Sequence, residues 1–378
     1  MISIKEETYN NPLFSGSISD YLLYLYTEMS VRPFPSKIDI PNKEWIPLLH
    51  DLYRLNGLDD PEFIIKPELI PPRDYEKIDS NKVMVALSGG KDSLAVMLRL
   101  LDEGKDVTAY FLQNANLSYL LEEPKATEAA EKYNVKLVKD KLCRSGKTDY
   151  FENQLKNQLI IARMLEYGLR NNCATVYLGE FWDSIDDETA LPDYNMTDNT
   201  DLTNHLEHAL QSHIPEFKYD YFFQNEATSI SYIIARHPEA IPLIQSCIMP
   251  TRYMKQQLKF SEKYHLHADV EHPNEEGTMS GRCMNCYKCI IEWMYLVSWG
   301  KLPMNKRFLE ERAIPLLYKK RDQFDARLGK MSIEELPVPK LLNRTIYLND
   351  GLKDYIKDPI NGLNNHIRHK HKELEPKE

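Results

Sequence analysis

The stretch Val83-Met84-Val85-Ala86-Leu87-Ser88-Gly89-Gly90-Lys91-Asp92-Ser93 decides the fold. Its first five residues are a short apolar run of the kind that forms a buried parallel strand. After it, Leu94, Met97, Leu98 and Leu101 recur at the spacing of one helix face. The pattern predicts strand, glycine turn, helix. The first turn of a helix has backbone N–H groups without intrahelical partners and the positive end of the dipole, so an anion fits there. Gly89 and Gly90 allow a tight turn and a close approach, Ser88 and Ser93 add hydroxyls, and Lys91 adds charge. The spacing differs from that of the common phosphate loop, because two adjacent glycines are followed by lysine and then aspartate. Asp92 beside a phosphate calls for a divalent cation between them, which implies Mg2+.

The hexapeptide Ser88 to Ser93 resembles the pyrophosphate loop of the N-type ATP pyrophosphatases. The resemblance implies that ATP binds with its β- and γ-phosphates on this loop while the α-phosphate is attacked.

Working outward, residues 81 to 180 alternate strand and helix. Val107 to Leu112 is β-branched and aromatic, Ala126, Ala129, Ala130 and Tyr133 repeat a helical spacing, and Val135 to Val138 is a short strand. A helix over about Gln154 to Tyr167 is expected to stop at Gly168, and Ala174 to Leu178 is the next strand. Such alternation predicts an α/β fold with a doubly wound parallel sheet, whose ligands sit beyond the carboxyl ends of the strands. That rule selects the loop after Leu87, the segment from Gln113 to Asn116, and Gly179, Glu180 and Asp183 as candidate site residues.

Residues 1–80 hold two expected helices, near Ile18 to Met29 and Glu44 to Leu55, between prolines. The tyrosines Tyr21, Tyr24 and Tyr26 read as packing residues rather than a partner surface. His205, His208 and His213 lie at near-helical spacing, but no cysteine or paired carboxylate completes a metal set beside them. The tail from Asn364 to Lys372 is basic and reads as a solvated terminus.

The 378 residues carry 47 Lys+Arg against 57 Asp+Glu, a formal charge of -10. Bulk binding of a nucleic-acid backbone is disfavoured by that balance, and a small-molecule substrate or a protein partner is favoured. The acidic N-terminus lacks a signal-peptide pattern and no apolar run reaches membrane-spanning length, which predicts a cytoplasmic protein without a membrane partner. Of six cysteines, Cys283, Cys286 and Cys289 form two overlapping C-x-x-C units. In a reducing compartment these are metal ligands rather than disulfides, and Cys247 or one of His265, His267 and His272 supplies the fourth position. Zinc on four cysteines is the first expectation, zinc on three cysteines and a histidine the second, an iron–sulfur cluster the third. Ile290, Trp293, Met294 and Val297 then continue at helical spacing, so the cysteine loop caps a buried helix.

With loop and cysteines together, roughly residues 82–300 look like a 7-cyano-7-deazaguanine synthase. Ser246-Cys247 and Ser280-Gly281-Arg282-Cys283 to Cys289 match that family's zinc element, with the glycine one place closer to the first thiol of the cluster. Lys156-Asn157 stands where the family has Arg-Asn, Phe111-Leu112-Gln113 where it has Tyr-Gly-Gln, and Pro192-Asp193 where it has Pro-Asp. The resemblance implies an adenine nucleotide alpha hydrolase-like sheet over 81–247, a zinc region over 248–300 on Cys247, Cys283, Cys286 and Cys289, and helical extensions over 1–80 and 301–378. It also implies ATP and Mg2+ held by Ser88 to Ser93 with Gln113, Asn157, Gly179 and Glu180, with Lys91, Asp92, Ser93 and Lys156 acting on the phosphates. The substrates are then a deazapurine-like carboxylate and ammonia, joined by a C–N ligase, in a homodimer or with a protein partner on the extensions. Two other readings stand beside it. One is a sulfur-transfer or adenylyl-sulfate reductase-like enzyme with an iron–sulfur cluster, for which Cys143 is the best-placed candidate outside the cysteine cluster. The other is an ATP-binding subunit of an assembly that modifies a protein.

Overall fold

The computed structural model describes residues 7–9, 17–28, 34–55, 57–72, 74–113, 119–141, 156–179, 200–220 and 226–244, with residues 292, 293, 296, 301 and 308 further on. The chain forms two compact units, one of Met1–Ser88, Arg99–Ala115 and Ala130–Phe222, the other of Gly89–Leu98, Asn116–Ala129 and Phe223–Glu378.

The first unit holds the sheet. Its strands are β1 (Glu7–Tyr9), β4 (Lys82–Ala86), β5 (Asp106–Gln113), β6 (Lys136–Lys141), β7 (Thr175–Tyr177) and β8 (Lys218–Asp220). They lie in the order β1-β6-β5-β4-β7-β8, and every pair is parallel. Parallel neighbours need crossover connections. Helices α3 (Lys91–Asp102), α4 (Tyr119–Lys132), α5 (Lys156–Leu169) and α6 (Thr200–Gln211) come between successive strands from β4 to β8. From β4 the chain steps outward to β5 and β6, then returns to the other side of β4 for β7 and β8, which is the doubly wound arrangement. The order reverses between β4 and β7, and the crevice at the carboxyl ends of those two strands is where such sheets take ligands. Val83, Met84, Val85, Val176 and Tyr177 are buried, as strands covered on both faces require.

The N-terminal segment joins this unit. β1 adds to the sheet beside β6, with Thr8 opposite Lys139. Helix α1 (Ile18–Glu28) packs on α5, burying Ile18, Tyr21, Leu22, Leu25 and Tyr26 along one stripe. Its start is capped twice: the Ser17 hydroxyl accepts from the Asp20 amide at 3.1 Å, and Glu166 of α5 accepts from the Ile18 amide at 2.7 Å. Tyr21 stands edge-on to Trp45 and donates to the Asp39 carbonyl, so these tyrosines serve packing. A second, two-stranded parallel sheet pairs β2 (Lys37–Ile40) with β3 (Glu62–Ile65), and helix α2 (Ile46–Leu55) packs on α6.

The end of α5 differs from expectation. Gly168 lies inside the helix, and the left-handed residue that stops it is Asn172, at φ 60°. The Cys173 amide reaches back to the Gly168 carbonyl at 2.9 Å, closing a Schellman turn. Glycine at 168 serves close approach instead: a Cβ there would lie 2.6 Å from the Cys173 carbonyl oxygen and 3.1 Å from Met84 Sδ.

Candidate functional site

The site begins where β4 ends. The Leu87 amide still donates to the Tyr110 carbonyl at 2.8 Å, so the ladder with β5 persists to the last apolar residue. Ser88 follows, exposed. On the same carboxyl edge of the sheet, Gln113 closes β5 and Gly179 lies two residues past β7; both are partly buried. Lys156 and Asn157 open α5, the helix between β6 and β7.

The rest of the loop belongs to the second unit. Gly89 has φ 76° and is buried. A Cβ at that position would meet the Glu122 carbonyl oxygen at 2.9 Å and Lys125 Cβ at 3.1 Å, so the loop rests directly on the backbone of α4. Both conformation and space demand glycine. Gly90 starts the helix: its carbonyl accepts from the Leu94 amide at 3.1 Å and from the Ser93 hydroxyl at 3.2 Å. Lys91, Asp92 and Ser93 are therefore the first turn of α3, where the backbone amides face outward along the axis.

The charged side chains of that turn are organised. Lys91 Nζ donates to Asp92 Oδ2 at 2.9 Å, with the Lys91 side chain 4% and the Asp92 side chain 24% exposed. Asp92 Oδ1 accepts from the Ser229 hydroxyl at 2.7 Å. Ser229 comes from helix α7 (Glu226–Arg236) and is fully buried. Behind the loop, Lys125 of α4 donates to Glu128 at 2.7 Å and to the Pro242 carbonyl at 3.2 Å. The arrangement can hold an anion at the amides of the turn and a hard cation at a partly exposed carboxylate beside hydroxyl oxygens. That donor set fits Mg2+, a cation that prefers oxygen and keeps some of its water.

Neither Ser229 nor Lys125 is marked as a site residue by its local sequence. Ser229 stands 137 positions from Asp92, and nothing local to it marks a site. Glu180, Asp183, Pro192, Asp193, Cys143, Ser246, Cys247, Cys283, Cys286 and Cys289 lie outside the described residues, as does the side chain of Lys156. Among the described residues no group of three or more His, Cys, Asp or Glu side chains gathers for a metal. The three histidines near α6 are structural. His205 meets Asp51 at 2.8 Å and His208 meets Glu44 at 2.8 Å, while His213 accepts from the Trp45 indole at 3.2 Å. Burial lowers the pKa of His213, in keeping with a neutral acceptor. Among the described residues no helix is long and apolar enough to cross a membrane.

No curated protein matches the chain. Residues 81–171 match the family model described as the tRNA methyl transferase HUP domain, a span that runs from the residue before β4 to just past α5 and takes in the whole glycine loop. This segment is thereby similar to the PP-loop-like adenine nucleotide alpha hydrolases, in keeping with the doubly wound parallel sheet.

Proposed function

We propose that the protein is an ATP pyrophosphatase that activates a carboxylate by adenylation and then forms a C–N bond. The observation that carries this reading is the Gly89-to-Ser93 turn, where a glycine pressed on α4 opens a helix whose first three side chains are lysine, aspartate and serine. The family match at 81–171 supports a nucleotide-binding role for the same segment. The amides of the turn and Lys91 take the β- and γ-phosphates, and the resulting pull on charge makes pyrophosphate the leaving group. A substrate carboxylate oxygen forms a bond to the α-phosphorus as the bond to the β-phosphate bridging oxygen breaks. Ammonia then attacks the acyl carbon, loses a proton to solvent, and displaces AMP. Mg2+, when bound, neutralises charge on the leaving group. Holding and orienting the reactants is the protein's main contribution, since no covalent enzyme intermediate is needed.

The finer reading is a deazaguanine carboxylate as the acyl substrate, with a second ATP converting amide to nitrile. It rests on the loop and the cysteine spacing, as does zinc on Cys247, Cys283, Cys286 and Cys289. Gln113, Lys156, Asn157, Gly179 and Glu180 are the further nucleotide contacts this reading assigns. Purified protein supplied with ATP, Mg2+, ammonium and 7-carboxy-7-deazaguanine should release AMP and pyrophosphate in step with product. ADP and phosphate as products would sink the proposal.

A second reading is favoured by the description of the matching family, which names tRNA. Here the adenylated group is a tRNA base, and the nucleophile is a sulfur species. Replacing the deazaguanine with unmodified tRNA and the ammonium with sulfide in the same assay separates them: tRNA-dependent release of pyrophosphate and AMP supports the second reading and removes the first.

A further inference from the structure

Helix α7 buries Ser229, Ile230, Tyr232, Ile233 and Ile234. Ser229 sets a short hydroxyl side chain among three isoleucines and Tyr232, and a hydroxyl taken from water costs free energy unless it finds a partner. Alanine would fill such a position without that cost. The Ser229 hydroxyl donates to Asp92 Oδ1 at 2.7 Å, while Lys91 Nζ holds Oδ2 at 2.9 Å. Each oxygen of the carboxylate is thus tied to a donor from a different part of the chain, which fixes the plane and the reach of Asp92. A hydrogen bond to an ionised acceptor is among the stronger ones available to a side chain.

We propose that Ser229 is a positioning residue for Asp92, orienting its carboxylate toward a divalent cation bound with a nucleoside triphosphate. The inference rests on the ATP reading above and adds to it a requirement for α7. Position 229 lies well beyond the end of the family match at residue 171, so a chain cut back to the matched segment would carry the loop without its support. Lys91 is the mobile partner of Asp92 in this scheme, a point charge on a flexible stem that can move to phosphate oxygens. Ser229, on a buried helix, stays.

The test compares binding of ATP to the full chain with and without Mg2+, by calorimetry, for the wild type, Ser229→Ala, Asp92→Asn and the double variant. The ratio of the two affinities within each protein is independent of how much of that protein is folded. In Ser229→Ala the gain in affinity on adding Mg2+ should fall about tenfold, as expected for losing one hydrogen bond to a charged group. In the Asp92→Asn background the same change should do nothing further, because the serine acts through that carboxylate. A Mg2+-dependent gain within twofold of wild type in Ser229→Ala overturns the inference. So does an equal loss in both backgrounds. Should wild-type protein bind no ATP in either condition, the ATP reading itself falls and takes this inference with it.

Discussion

Two carboxylates, Asp140 and Asp92, are each held by one cation and one hydroxyl. Asp140, at the end of β6 in the first unit, is 1% exposed. Arg163 of α5 grips it with both arms, Nε to Oδ2 at 2.5 Å and Nη2 to Oδ1 at 2.7 Å, and Tyr110 of β5 donates its hydroxyl to Oδ2. Three elements are locked by that network, and the planar guanidinium matches the carboxylate edge for edge. Asp92 keeps a quarter of its side chain in solvent, and its cation is the adjacent lysine. The first set of donors encloses its carboxylate. The second leaves it within reach of solvent. Similar hydrogen-bonding groups therefore make an enclosed structural joint in one unit and a partly open carboxylate in the other, the one proposed above to meet a ligand, and the difference lies in burial and in the kind of cation.

The largest effect that would test this contrast is on the joint. Arg163→Met removes the grip and leaves Asp140 buried with a charge that, among the described residues, Tyr110 alone addresses. Breaking a buried pair in this way should cost about 3–5 kcal/mol, read as a lowered urea midpoint. Arg163→Lys should recover only part of it, since an ammonium cannot make the two parallel bonds. A loss below about 1 kcal/mol would show that water reaches Asp140 and would break the contrast.

Gly89→Ala is next, and it acts on the loop. The left-handed backbone and the 2.9 Å approach to the Glu122 carbonyl both oppose a methyl group. The backbone strain alone is worth about 1–3 kcal/mol. ATP binding should be lost with it, because relief requires the turn to lift off α4. Retained ATP affinity in a stably folded Gly89→Ala protein would remove the loop from the site.

Tyr110→Phe sharpens the account of the joint through pH. Burial first, and then the charge on Asp140, raises the Tyr110 pKa well above 10.0. The unfolded chain ionises this phenol near its ordinary value while the folded chain keeps its proton. Stability from Tyr110 is thus fully present below about pH 10 and is lost as pH rises from there toward the folded pKa. At neutral pH Tyr110→Phe should cost about 1–3 kcal/mol, the price of one donor on a buried charge. The variant should also show a shallower fall of stability above about pH 10 than wild type. Parallel alkaline unfolding curves would contradict it.

Much of this was legible from the chain. The apolar spacing of Leu94, Met97 and Leu98 gave α3, the β-branched run gave β5, and the two glycines gave the turn. β1 and β8 escaped, because strands of three residues, Glu7–Tyr9 and Lys218–Asp220, are held by backbone pairing rather than by an alternating pattern. β2 and β3 were hidden among prolines and charges, although Ile38 and Ile40 are fully in the core. Gly168 resembles a helix stop in sequence because glycine serves both conformation and space, and the approach of Cys173 and Met84 tells which. The partner of Asp92 could not be read, since a contact across 137 positions leaves no trace in either local sequence.

The smallest expected change in stability is also the one that separates the two carboxylates most sharply. Asp92→Asn keeps the shape and one acceptor oxygen, which the Ser229 hydroxyl can still use. What it removes is the charge opposite Lys91, whose side chain is 4% exposed. Because Asp92 itself reaches solvent, water can take over part of that role, and the net cost should fall below that of breaking a fully buried pair, about 3–5 kcal/mol. Asp140→Asn, made in parallel, should cost more, because there the amide nitrogen in either orientation is turned against an arginine N–H at a position 1% exposed. Function should run in the opposite order. Asp92→Asn should abolish the Mg2+-dependent gain in ATP affinity while the fold stands, and folded Asp140→Asn protein should retain it. Equal stability losses in the two variants, measured by the same urea titration, would mean that burial does not distinguish these carboxylates and that Asp92 is a structural joint as well.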